Sequence, residues 1–143
     1  MINFLFSSTT HDFRYINLQT PLYDIKRSEP QEPIQEDLLG LSYTYTIPQG
    51  PVVYLDYFLD EARSNEGVKS IQANVRFKDA VECDEVYKAC QRLFNRRYGA
   101  STQGSYGRES WQQLRAEGLL EAHLRLSELQ TVLSINLLLV PNN

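Results

Sequence analysis

The chain has 143 residues, enough for one domain with a substantial core, and its 42% hydrophobic and 22% charged residues exclude an intrinsically disordered polypeptide. The formal net charge of −4 is unevenly spread, with ten acids against five bases in residues 1–71 and eight against nine in residues 72–143, so the first half disfavours a nucleic-acid backbone and suits a basic partner. No apolar run is long enough to span a membrane, and the short apolar start Met1–Phe6 lacks the basic leader of a signal peptide, so a soluble cytoplasmic protein with no membrane partner is expected.

Along the chain, Phe13, Tyr15, Ile16, Leu18, Leu22 and Ile25 are apolar residues of an N-terminal arm able to dock on a core. Residues 28–37 are polar and hold two prolines, as in a surface loop with room for a helical turn after Pro33. Residues 1–40 thus read as arm and loop, and residues 41–140 as a sheet-plus-helix core within one domain, 1–143. Leu41, Tyr43, Tyr45 and Ile47 alternate with polar residues, the period of a half-buried strand. Pro48-Gln49-Gly50-Pro51 marks a turn, and the β-branched and aromatic run Val52–Leu59 a second strand. Ile71, Ala73, Val75 and Phe77 give a third, completing a meander.

The spacing of Val86, Cys90, Leu93 and Phe94 predicts a helix over Asp84–Tyr98, capped by Asp84, favoured by three arginines in its last two turns and ended by Gly99. Cys83 and Cys90, about two helical turns apart, are too distant to bridge each other, and free thiols fit a reducing compartment. Ala100–Ser110 reads as a Gly/Ser-rich loop, and Trp111 either begins a strand or packs over the helix. Leu120, Ala122, Leu124 and Leu126 alternate with polar residues as in a strand, although their composition also suits a helix. Val132–Val140 is apolar enough to lie centrally in a sheet. The expected fold class is α+β: a mainly antiparallel sheet of five or six strands packed by one main helix.

The chemistry-bearing residues form no catalytic, cofactor or metal motif. His11 and His123 lack ligand-like neighbours, and Cys83 is surrounded by Glu82, Asp84 and Glu85, which oppose a thiolate. The loop holding Gly99, Gly104 and Gly107 lacks the lysine of a phosphate loop. Lys88, Arg92, Arg96, Arg97, Arg108 and Arg115 are interleaved with Phe94, Tyr98, Tyr106 and Trp111, a composition that binds single-stranded nucleic acid when both groups share an exposed face. Against it stands a second grouping: the acids Glu29, Glu32, Glu36, Asp37, Asp56, Asp60, Glu61 and Glu66 beside Tyr43, Tyr45, Tyr54 and Tyr57. Aromatic anchors with acidic steering make a docking surface for a basic protein, and Tyr43, Tyr45, Asp56, Asp60 and Glu61 are its candidate contacts.

Three stretches in order, the strand Val68–Phe77, the helix ending Asn95-Arg96-Arg97-Tyr98-Gly99, and Trp111 followed by paired C-terminal strands, resemble small bacterial immunity proteins over residues 41–140. The resemblance implies a non-enzymatic inhibitor that covers a toxin's active site; it carries no functional residue to a numbered position. A phage-encoded or regulatory inhibitor of a nucleic-acid enzyme is the second reading, and a small enzyme or ligand carrier, which requires a deep pocket with converging polar groups, is the third. An exposed strand edge would also allow a homodimer.

Overall fold

The computed structural model describes residues 1–142. The meander forms as its alternation dictates: β1 (Gln35–Asp37), β2 (Gly40–Thr46), β3 (Val52–Leu59) and β4 (Val68–Arg76) pair in sequence, each antiparallel to the last. A long helix, α3 (Ala80–Tyr98), follows two short ones, α1 (Ile2–Leu5) and α2 (Leu22–Ser28), in the N-terminal segment. Beyond α3 come β5 (Gln103–Ser105), β6 (Arg108–Arg115), β7 (Gly118–Leu126) and β8 (Val132–Pro141). The strand order is β1-β2-β3-β4-β8-β7-β6-β5, so β8 joins the two meanders at the middle of one antiparallel sheet.

The α+β class and the antiparallel sheet are as expected, but the sheet has eight strands rather than five or six. The extra ones lie in segments read as loops. β1 is exposed at all three positions and β5 is equally short, so neither carries a buried-face alternation. In β6 only Trp111 is fully buried, and the polar residues around it hide the strand.

One face of the sheet carries Tyr43, Leu55, Ala73, Ile135, Ala122 and Trp111 into a single core, closed by α3 over β6, β7 and β8, with α2 against β2. Helix α3 begins four residues earlier than its sequence spacing predicts: Asp79, not Asp84, is the cap, its carboxylate accepting from the Glu82 amide at 2.8 Å. The buried stripe is consequently Cys83, Tyr87, Cys90 and Phe94, with Val86 and Leu93 at its margin. Gly99 ends the helix at φ +88°, its amide donating to the Asn95 carbonyl. Trp111 satisfies both of its readings: it lies in β6, packs edge-on against Phe94 and donates its indole N–H to Asn95 Oδ1 at 2.9 Å.

The N-terminal segment docks on this core, burying Leu5, Phe6, Phe13, Ile16, Leu18 and Ile25 while Tyr15 stays exposed. It is tied to β4, where Gln19 and Val68 share a backbone hydrogen bond at 2.7 Å and the Val68 amide donates to Thr20. The guanidinium of Arg97 reaches the carbonyls of Ser8 and Asp12, and Arg115 pairs with the Asp12 carboxylate at 2.9 Å. The opposite sheet face is polar along one transverse row across six strands, Ser42, Asp56, Gln72, Asn136, His123 and Ser110, and apolar at one end, where Leu114, Leu119 and Val140 lie side by side.

Candidate docking surface

The candidate contacts divide by depth. Tyr43 and Tyr45 point into the core, at 1% and 9% exposure, and this corrects their assignment as surface anchors: the alternation that makes β2 a strand aims both rings inward. Tyr45 stacks on Tyr43, and its hydroxyl donates to Glu29. Burial, reinforced by the charges of Glu29, Glu36 and Glu32, pushes the Tyr43 hydroxyl up to about 12. Glu29 is likewise buried rather than part of an acidic surface; it accepts from Arg14 Nε at 2.9 Å and from the Tyr57 hydroxyl at 3.1 Å. Tyr57 is fully buried, whereas Tyr54 lies on the open face under the Arg76 guanidinium.

Asp56, Asp60 and Glu61 remain at the surface. Asp56 is half-buried on the open face and accepts from Ser42 Oγ at 2.6 Å. Asp60 caps the 3-10 turn Glu61–Glu66, accepting from the Ala62 amide at 3.0 Å, and Glu61 is exposed. The Leu59 amide donates to the Leu39 carbonyl, which sets Asp60 and Glu61 beside the β1–β2 turn.

That turn supplies the anchors that sequence reasoning missed. Leu38 is 93% exposed, and Leu39, Phe58 and Tyr23 are exposed around it. Two grooves meet at Asp37 and Leu38: one of about 610 Å³ between α2 and the sheet edge, lined by Leu22, Tyr23, Glu36 and Leu41, and one of about 370 Å³ reaching Leu39 and Phe58. Asp37 holds the turn by accepting the Leu39 amide at 2.8 Å. Lys26 of α2 lies 2.8 Å from Glu36 across the larger groove, and that contact holds its ammonium above the usual lysine range. The signal was present in the sequence: an apolar pair, Leu38-Leu39, inside an acidic segment and directly before the glycine that opens a strand.

Of the rings interleaved with the arginine stretch, Tyr106 is the exposed one, at 50%, and its hydroxyl donates to Asp84. Phe94 and Trp111 are buried, Lys88 pairs with Asp84 at 3.0 Å, and Arg97 and Arg115 are engaged with the N-terminal segment. Burial, then the charges of Asp84 and Glu82, pushes the Cys83 thiol up to about 11; burial alone takes Cys90 up to about 12. His11 Nδ1 lies 2.7 Å from Ser8 Oγ, and His123 stands half-exposed on the open face, 3.8 Å from Glu121. Among the described residues no three His, Cys, Asp or Glu side chains gather as metal ligands, and no helix is long and apolar enough to cross a membrane.

No family model, no curated protein and no solved structure matches this chain.

Proposed function

We propose that this chain is a non-enzymatic, protein-binding inhibitor of the immunity type, which neutralises a toxin with a basic surface. The observation that supports it is the exposed apolar cluster Leu38, Leu39, Phe58 and Tyr23, with Asp37 and the Lys26–Glu36 pair in its grooves and Asp60 and Glu61 directly after Leu59, whose amide bonds Leu39. Burying one leucine side chain at an interface contributes about 1.5–3 kcal/mol, and a cluster of four supplies a hydrophobic centre, while the carboxylates steer a cationic partner into register. Its order of strand, helix and Trp-containing strand pair, which resembles immunity proteins, fits the same role. The two buried free thiols suit a reducing cytoplasm. The acidic rim equally suits the basic substrate channel of a nucleic-acid enzyme, the target in the second reading.

The test is affinity capture from lysate of the source organism and from its secreted fraction, with the wild-type chain and with the double variant Asp60→Lys/Glu61→Lys side by side. One stoichiometric basic protein, captured by the wild type alone and losing its toxic activity on binding, is the expected result. A captured protein whose activity is untouched, or one held equally by both forms, overturns the inhibitor reading.

A further inference from the structure

We propose that β1 is the receiving edge for a partner strand: a basic, apolar-alternating segment of the target pairs with Gln35–Asp37 and extends the sheet to a ninth strand. This inference rests on the protein-binding reading and specifies its mode. β1 pairs on one side only, with β2, and among the described residues its backbone makes no hydrogen bond to another element across its outer edge. All three of its residues are exposed. A free edge offers a row of amides and carbonyls, and alternate side chains of an added strand point to opposite sheet faces.

On the packed face, those side chains meet the groove between α2 and β1, whose apolar walls are Leu22, Tyr23, Leu38 and Leu41. That volume, about 610 Å³, accommodates more than one aliphatic side chain. The register sets Glu36 on this packed face with Leu41, where it stays paired with Lys26, and sets Gln35 and Asp37 on the open face, where the alternate basic residues of the added strand meet Asp37. The same carboxylates argue against a second copy as occupant. Two β1 edges aligned antiparallel would set Glu36 and Asp37 of one chain against those of the other, and like charges directly opposite are unfavourable.

The probe is a short synthetic peptide alternating lysine with valine and leucine, titrated into the full chain and followed by fluorescence anisotropy and by amide hydrogen exchange. Saturable binding with slowed exchange at residues 35–37 is expected. The same peptide N-methylated at alternate residues keeps its side chains but loses its edge hydrogen bonds, and should bind at least about tenfold more weakly; Leu38→Asp, at a site already in solvent, should weaken the parent peptide comparably. Equal binding of the N-methylated peptide, unchanged exchange at 35–37, no saturable binding, or a dimer in sedimentation that occupies β1 in place of the peptide each overturns strand addition. The two proposals fail separately. A captured toxin that is inhibited, lost with Asp60→Lys/Glu61→Lys, yet not displaced by the peptide leaves the inhibitor reading standing and removes β1 as its edge.

Discussion

The carboxylate of Glu29 and the guanidinium of Arg14 form an ion pair at 2.9 Å with their side chains only 2% and 9% exposed. Arg14 also donates to the Phe4 carbonyl and lies over the Phe4 ring, while Glu29 takes hydrogen bonds from Tyr45 and Tyr57. One pair thereby joins the N-terminal segment to β2 and β3. Removing one partner leaves a buried charge without compensation, so Glu29→Ala should cost about 3–5 kcal/mol in urea denaturation. Tyr57→Phe, which deletes one hydrogen bond to that charge, should cost about 1.5–3 kcal/mol.

Trp111 is the single tryptophan of the chain and is fully buried against Phe94. Its native emission should be blue-shifted and resistant to iodide quenching, then shift to the red in one step as the chain unfolds. Phe94→Ala opens a cavity beside the indole and should cost about 3–5 kcal/mol in the same fluorescence-monitored titration.

Stability should fall on the alkaline side. The thiols of Cys83 and Cys90 hold their protons to about 11 and about 12 in the folded chain against an ordinary 9.0, and the Tyr43 hydroxyl to about 12 against 10.0. Raised folded values mean that the unfolded chain releases these protons first. Their contribution is complete below pH 9 and declines as pH rises through 11 to 12. Urea midpoints measured from neutral to alkaline pH should drop once the cysteine value is passed. Consistently, both thiols should be silent to a disulfide reagent at neutral pH and react as two equivalents only after unfolding.

Gly67 sits at φ +80°, and a Cβ there would lie 2.0 Å from the Gln19 carbonyl oxygen, where residues 19–20 pair with Val68. Gly67→Ala therefore meets both strain and a backbone collision, and should cost more than about 1 kcal/mol. Limited proteolysis should then cut the N-terminal segment before the sheet.

For the acidic rim, Asp60→Lys/Glu61→Lys should lower the association rate with a basic partner at low salt by an order of magnitude or more, and leave dissociation nearly unchanged. Because Asp60 also caps the turn that follows β3, Asp60→Asn serves as the control that retains a capping oxygen. Association rates across a salt series, measured by surface plasmon resonance, check both.

The strands that carry the core were legible because burial imposes a period of two. Leu41 to Tyr45, Ile71 to Val75, and Leu120 to Leu124 all alternate, and all are strands with that face inward. The same reasoning, carried one step further, places Tyr43 and Tyr45 inside; their chemistry suggested anchors, but their register did not. β1 and β5 gave no signal, since an edge strand in solvent has no face to distinguish. The start of α3 is ambiguous in the sequence because Asp79 and Asp84 can each cap a helix whose apolar face follows, and the packing of Cys83 decides for Asp79. Of the candidate site, Asp56, Asp60 and Glu61 were readable as surface acids. The apolar centre leaves a trace in the sequence, the pair Leu38-Leu39 inside an acidic segment, but the exposure of Leu38 depends on where the turn points.

The position of β8 has a bearing on how the chain is made. It is synthesised after both β4 and β7, yet it lies between them and is the strand that joins their two meanders. During translation the β1–β4 meander can assemble early, but its inner edge and that of β5–β7 stay open until β8 leaves the ribosome. The β4 edge thus stays unpaired from Arg76 until Val132–Pro141 is made, and the β7 edge joins it after Leu126, an interval in which an open edge is exposed to mispairing.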